Sequence, residues 1–255
     1  NELFPHVEND FPLKDWVGLV ETSIGKMVPI MPEDEVKRDS LLVYAEPYNN
    51  LILDAKAFKN PITEVVGLAP KDNIKAWVDR KSYLHNFGHA AVAYAGFAYK
   101  PNIKYIYEAL ENTAIKSFVI KAMKQSAAIL LNKYPKEFTK NDLEEHINDL
   151  IERFENKALK DTIYRVGCDL KRKLSNNDRI ISPMLDGLRS GFPVDYIMMV
   201  FAFGLCFDAK NEQGKRLTSD EDFTLLLKEN GIENILKKVL SLDTKEIMDS
   251  IAKVY

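Results

Sequence analysis

The chain has 255 residues, 46% of them hydrophobic and 29% charged, a globular composition that excludes a disordered, collagen-like or disulfide-scaffold protein. Its 35 Lys and Arg against 38 Asp and Glu leave a net charge of −3, so no overall basic field recommends nucleic acid or an anionic membrane as partner. The length predicts one large domain or two small ones, and the longest apolar run, residues 197–207, falls short of the roughly eighteen residues a membrane span needs.

The first residues, Asn1-Glu2-Leu3-Phe4-Pro5-His6, have neither a Met nor a basic-then-apolar leader. Residue 1 is therefore expected to be neither a translation start nor part of a signal peptide, and the chain to be a piece of a longer protein. Residues 17–28 and 40–53 carry β-branched, aromatic and apolar side chains and read as two strands, with Pro29-Ile30-Met31-Pro32-Glu33-Asp34 turning the chain between them. From Lys71 the period becomes helical: Ile74, Trp77, Val78, Lys81, Leu84 and His85 recur at three- and four-residue steps, and the pattern runs on through Gly88, Ala91 and Ala95 as one long helix.

Downstream, Thr139-Lys140-Asn141-Asp142 and Ser219-Asp220-Glu221-Asp222 resemble capping boxes, Ser182-Pro183 an N-cap followed by a first-turn proline, and Gly191 and Gly231 C-terminal caps. Roughly eight helices and no later strand follow from these signals. Residues 197–207, apolar all round, are predicted to be the central buried helix. Cys168 and Cys206 sit far apart within helical patterns, which fits reduced thiols and a cytoplasmic location. The expected fold is mainly α, a multi-helical domain preceded by a short β-containing part.

On an α-helix, Lys81, His85, His89 and Asn86 fall at about 0°, 40°, 80° and 140°, so one side of the long helix presents a lysine, two imidazoles and an amide. Lys81 shares the stripe of Trp77 and Leu84 and is expected to point inward, where desolvation lowers its pKa toward proton-transfer range. Asn86 has the chemistry to donate to a developing alkoxide, and His89 to hold a substrate hydroxyl. The plainer alternative is that the lysine snorkels or pairs with a carboxylate. His85 and His89 alone make a poor metal site, because the zinc-protease glutamate is missing between them and the chain has four histidines in all. The small residues Gly88, Ala90, Ala91, Ala93, Ala95 and Gly96 point to close helix packing.

Residues 157–179 hold seven basic residues, among them Arg165, Arg172, Lys173 and Arg179, against three acidic ones, whereas residues 141–155 hold six acidic residues and Arg153. Two readings stand: opposite blocks that pair with each other, or an anion site for a phosphate or carboxylate. No G-x-G-x-x-G follows a strand, and neither a P-loop nor a G-x-S-x-G elbow occurs, so this chain by itself is not expected to bind a dinucleotide in the usual way.

Lys81-x4-Asn86-x2-His89, together with Gly18-Leu19-Val20-Glu21-Thr22-Ser23, Ala93-Tyr94-Ala95-Gly96, Arg153-Phe154-Glu155-Asn156, Leu159-Lys160-Asp161, Arg165-Val166-Gly167 and Arg172-Lys173-Leu174-Ser175-x2-Asp178-Arg179, resembles the C-terminal two thirds of the polyol-specific long-chain dehydrogenases. The resemblance implies the helical C-terminal domain of a mannitol dehydrogenase/6-phosphogluconate dehydrogenase-like type over residues 69–255, preceded in residues 1–68 by the end of a Rossmann domain.

It further implies metal-independent hydride transfer between NAD and a polyol or sugar phosphate, with the NAD held mainly by a preceding domain. Lys81 would be the general acid/base, Asn86 would polarise the reacting oxygen, His89 would orient substrate, and His85, Arg165, Arg172, Lys173 and Arg179 would bind it. Gly25 stands where the family commonly has an aspartate, and Cys168 where a close relative would carry an arginine; both bear on substrate identity. A hexuronate reductase of the same superfamily and a non-catalytic helical binding or dimerisation module are the alternatives.

Overall fold

A computed structural model describes residues 13–29, 31–48, 50–234 and 237. Two short helices, α1 (Leu13–Trp16) and α2 (Glu33–Arg38), accompany a three-stranded sheet of β1 (Thr22–Ile24), β2 (Leu51–Asp54) and β3 (Leu68–Lys71) in the order β1-β2-β3. β1 runs antiparallel to β2 with Ser23 opposite Ile52, and β2 runs parallel to β3 with Ile52 opposite Ala69. The two expected strands are present but shorter. Helix α2 starts at the end of the predicted turn of residues 29–34 and runs on to Arg38, and β3 was not anticipated because Leu68-Ala69-Pro70-Lys71 has a proline in its middle. The edge position of β3 makes that proline tolerable.

The helical body consists of α3 (Ile74–Arg80), a π turn (Lys81–Asn86), α4 (Phe87–Tyr99), α5 (Ile106–Leu110), α6 (Thr113–Lys133), α7 (Lys140–Phe154), α8 (Ile163–Gly167), α9 (Leu170–Lys173), α10 (Ile181–Arg189), α11 (Asp195–Leu205) and α12 (Thr218–Asn234). The fold is therefore mainly α, as expected. The predicted single long helix is α3 and α4 joined through the π turn. Thr139 and Asp142 form the predicted capping box of α7, and Asn112 caps α6 by accepting from the Ala114 and Ile115 N–H groups at 2.9 and 3.2 Å.

Two other start signals work differently. Ser182 lies inside α10, one residue past its start. Asp220 accepts from the N–H groups of Asp169 and Leu170 at 2.9 and 2.7 Å, so it caps α9 rather than its own helix. Gly191 follows α10 with φ +72°, as a C-terminal cap requires.

The central helix is α4, not α11. Nine of the thirteen α4 residues are buried, whereas α11 buries Ile197, Val200 and Gly204 and leaves Met199 45% exposed. Small residues make this possible by close approach: a Cβ added at Gly88 would lie 2.7 Å from the Met123 sulfur of α6, and one at Gly96 would lie 2.8 Å from Ala109 Cβ of α5. The apolar run 197–207 thus lines one side of the core from the periphery. No helix among the described residues is long and apolar enough to cross a membrane.

Candidate active site

The residues of greatest chemical interest lie on the π turn. Phe87 N–H donates to the Ser82 carbonyl five residues back, the signature of a locally widened helix. A π turn advances by about 80° per residue instead of about 100°, which carries Asn86 from about 140° round from Lys81 to about 40° and His89 to within about 20° of it. The three side chains share one face more closely than an ideal helix would allow.

Two contacts made by Tyr83, in the middle of the turn, hold this conformation from behind. Its carbonyl accepts from the fully buried Ser126 hydroxyl of α6 at 2.7 Å. Its phenol donates to Asp186 of α10 at 2.5 Å and receives Lys133 at 3.2 Å, with Ser182 also 3.2 Å away. Lys133 in turn bridges Asp186 and Asp79 at 2.6 and 3.1 Å. Burial and the Asp186 bond push the Tyr83 phenol up to about 12, so it remains a donor throughout the ordinary pH range. Sequence reasoning missed this network because its members lie up to 103 residues apart.

Lys81 is half-buried, and among the described residues it has no carboxylate partner, so the snorkelling or ion-paired alternative finds no pairing here. Burial, and then the positive charge of Arg179, lower its pKa. His89 stacks on Phe154 with centroids 4.9 Å apart at 11°. Its Nε2 is buried and lies 3.3 Å from Asp161 Oδ2, yet the angle makes no hydrogen bond. Burial, then Lys173, Arg165, Arg179 and Arg153, hold His89 down to about 3. It is therefore neutral near pH 7, and its contact with Asp161 is not an ion pair. His85 is buried edge-on to Phe154; burial, then His89, Arg153, His146 and Lys81, depress it well below the usual range.

The four basic candidates are each satisfied within the protein. Arg165 pairs with Asp161, Arg172 with Asp169 and Asp178 at 2.5 and 3.2 Å, and Arg179 with Asp178 at 2.7 Å. Lys173 donates to the Val166 carbonyl at 2.7 Å, and burial lowers it to about 8. The three arginines thus pair with aspartates of their own segment, one to six residues away, and not with residues 141–155. The charge of Arg179 acts on Lys81, and those of Lys173, Arg165 and Arg179, in that order, act on His89.

Gly25 belongs to the wall over His85. A Cβ there would sit 3.5 Å from His85 Nδ1 and 3.9 Å from Tyr48, so a side chain would enter without collision. Arg153 of α7 fastens this strand end: it bonds the Gly25 carbonyl and the buried Glu46 carboxylate, which itself accepts from Met27 N–H at 2.6 Å. Among the described residues no group of three or more His, Cys, Asp or Glu is placed to hold a metal ion.

Comparison with known proteins adds three findings. Residues 73–253 match the mannitol dehydrogenase C-terminal domain family. A mannitol-1-phosphate 5-dehydrogenase of Buchnera aphidicola subsp. Baizongia pistaciae (strain Bp) is 31% identical over 242 residues, which cover 94% of this chain and 59% of that protein. Among solved structures, a D-sorbitol dehydrogenase in substrate-free form superposes with a TM-score of 0.72 at 19% identity, over 94% of this chain and 51% of its own. A Pseudomonas fluorescens mannitol 2-dehydrogenase in ternary complex with NAD and D-mannitol gives 0.64 at 15%, over 92% and 49%. At these identities the two structures speak for the fold alone. The chain spans between about half and three fifths of the length of these relatives.

Proposed function

Since the chain belongs to the mannitol dehydrogenase C-terminal domain family, we propose that it is the substrate domain of an NAD-dependent polyol-phosphate dehydrogenase, of the mannitol-1-phosphate/fructose-6-phosphate type, that works without a metal. One observation carries this reading: the π turn sets a lysine without a carboxylate partner beside an amide and a neutral imidazole. Lys81 takes the hydroxyl proton as the secondary alcohol is oxidised and returns it in the reverse direction; its lowered pKa suits both transfers. Asn86 donates to the oxygen as negative charge develops there. His89, whose buried Nε2 has no hydrogen bond within the protein, orients a neighbouring hydroxyl.

A nicotinamide dinucleotide would supply the hydride acceptor. The described residues do not fit it: no glycine-rich turn joins a strand to a helix N-terminus, the arrangement that cradles a pyrophosphate. The cofactor is accordingly assigned to a preceding domain, of which residues 1–68 are the end. Lys173, which donates to a carbonyl and has no carboxylate partner among the described residues, and whose charge acts on His89, favours an anionic polyol over a neutral one. The test is turnover by the full-length protein: reduction of NAD with mannitol-1-phosphate is expected, and with unphosphorylated mannitol much less. Reduction of a hexuronate in preference to either sugar would replace this reading with the reductase alternative, and no turnover of any of them would leave a binding module.

A further inference from the structure

Lys160, Thr162, Tyr164 and Arg165 line a cleft of about 580 Å3, completed by Tyr105, Cys168 and residues 31–32 and 211–213. That volume lies within the range of small-molecule sites. Leu159 and Asp161, on either side of Lys160, are buried, and the Asp161 carbonyl accepts from Ile106 N–H at 3.0 Å. Lys160 between them is exposed and left-handed at φ 50°, a region that residues with a Cβ enter only at a cost. Among the described residues it has no carboxylate partner. Glu212, the one carboxylate lining the cleft, is taken by Lys104 at 2.8 Å. Arg165 bonds Asp161 through Nη1, while its Nη2 reaches only the Val28 carbonyl at 3.5 Å, the limit of a hydrogen bond. Thr162 Oγ1 accepts from Arg165 N–H at 3.1 Å, which leaves its hydroxyl hydrogen free to donate. Asp161 connects the cleft with the candidate active site: one of its oxygens bonds Arg165 and the other lies 3.3 Å from His89 Nε2.

We infer that Lys160, Arg165 and the Thr162 hydroxyl bind the phosphate of a polyol phosphate, and that Lys160 sets the preference for the phosphorylated substrate. A phosphate monoester carries about 1.5 to 2 negative charges and three terminal oxygens, which two cations and a hydroxyl donor match. A carboxylate, with one charge and two oxygens, is matched by the planar arginine fork alone and leaves Lys160 uncompensated. The division of labour with Lys173 follows from burial. Lys173 is 6% exposed and bonded to the Val166 carbonyl, so it acts on an anion through its charge, whereas the open Lys160 is free to touch one. The subsite rests on the reading of the chain as part of a polyol-phosphate dehydrogenase.

The test compares mannitol-1-phosphate with mannitol in the full-length protein. Lys160→Gln is expected to raise KM for the phosphorylated polyol at least tenfold with kcat within about twofold, and so to lower the ratio of the two kcat/KM values by the same factor. Lys160→Arg, which keeps the charge, should restore most of that ratio. Gln213→Glu adds a negative charge to the cleft from an exposed loop and should shift the ratio in the same direction; if Lys160→Gln loses its circular dichroism spectrum, this variant carries the test. Inorganic phosphate should inhibit competitively against mannitol-1-phosphate, and more weakly in Lys160→Gln.

An unchanged ratio in a folded Lys160→Gln, or equal losses on both polyols, overturns the subsite while leaving the dehydrogenase reading in place. So does a ratio lowered by Lys173→Gln and not by Lys160→Gln, which would place the phosphate at the buried lysine. Noncompetitive inhibition by inorganic phosphate that disappears in Lys160→Gln would make the cleft a regulatory site and overturn its assignment to the substrate. If the full-length protein oxidises no polyol phosphate, the dehydrogenase reading falls, and calorimetric titration with mannitol-1-phosphate decides the cleft: binding weakened at least tenfold in Lys160→Gln upholds the phosphate contact, and no binding, or equal binding by the two proteins, overturns it.

Discussion

Lys81 was legible as a candidate because a cation on the stripe of Trp77 and Leu84 has to be explained. Lys160 was not, since one lysine in a basic segment is unremarkable and gains meaning only from the residues packed around it. In the full-length protein, Lys81→Ala is expected to lower kcat by about 10²- to 10⁴-fold, the usual worth of a positioned acid/base, with the fold intact. A near-wild-type rate with an unchanged circular dichroism spectrum would remove Lys81 from the chemistry.

The histidines make a prediction about stability. His89 and His146 are both held near about 3 in the folded protein, while the unfolded chain titrates near about 6.5. Between those values the unfolded state binds more protons, so stability is full above about pH 6.5 and is lost as pH falls toward 3. Thermal melts between pH 7 and 5 should show a falling Tm, and His146→Asn should flatten that slope. Parallel slopes for the two proteins would mean that His146 is not kept neutral. Asp142 and Asp178, whose pKa values lie below the usual carboxylate range, act only at lower pH and leave this window clear.

At the scale of elements, the π turn is the departure that mattered most. Periodicity at a fixed angle located the helix that carries the candidate residues, but not the widened turn, because a π turn is held by groups remote in sequence. Ser126 illustrates this: nothing around it in α6 marks it as the partner of the Tyr83 carbonyl. Ser126→Ala removes that buried bond to the Tyr83 carbonyl and is expected to cost about 0.5–1.5 kcal/mol in urea unfolding. A loss within a few tenths of a kcal/mol would show that the turn holds itself. The misplacement of α11 has a different cause. An apolar run records composition, whereas depth depends on how closely neighbours approach, and α4 with Gly88 and Gly96 comes closer than bulky α11 can.

In the molecule as a whole, the helical body was well marked by caps and period, and the sheet poorly, its strands being three or four residues long. What joins the two parts is a buried ion pair, Arg153 with Glu46, their side chains 11% and 4% exposed. Glu46→Ala leaves the guanidinium with Asp149 and the Gly25 carbonyl but strands the Met27 N–H, and is expected to cost about 1–3 kcal/mol in denaturant unfolding. A smaller loss than for Ser126→Ala would show that the sheet is held to the helices chiefly by apolar contact. The cap that Asp220 provides for α9 adds a matter of timing. Asp220 is synthesised 51 residues after Asp169. At about 5–20 residues per second, the segment carrying Arg172 and Lys173 spends several seconds on the ribosome before its cap exists, whereas Ser126 and Asp186, which steady the Lys81 turn, have by then both been made. On the growing chain the partners of the Lys81 turn are therefore present before the cap of α9, so a product released just short of Asp220 would keep the groups that hold the turn while losing the cap on the basic segment.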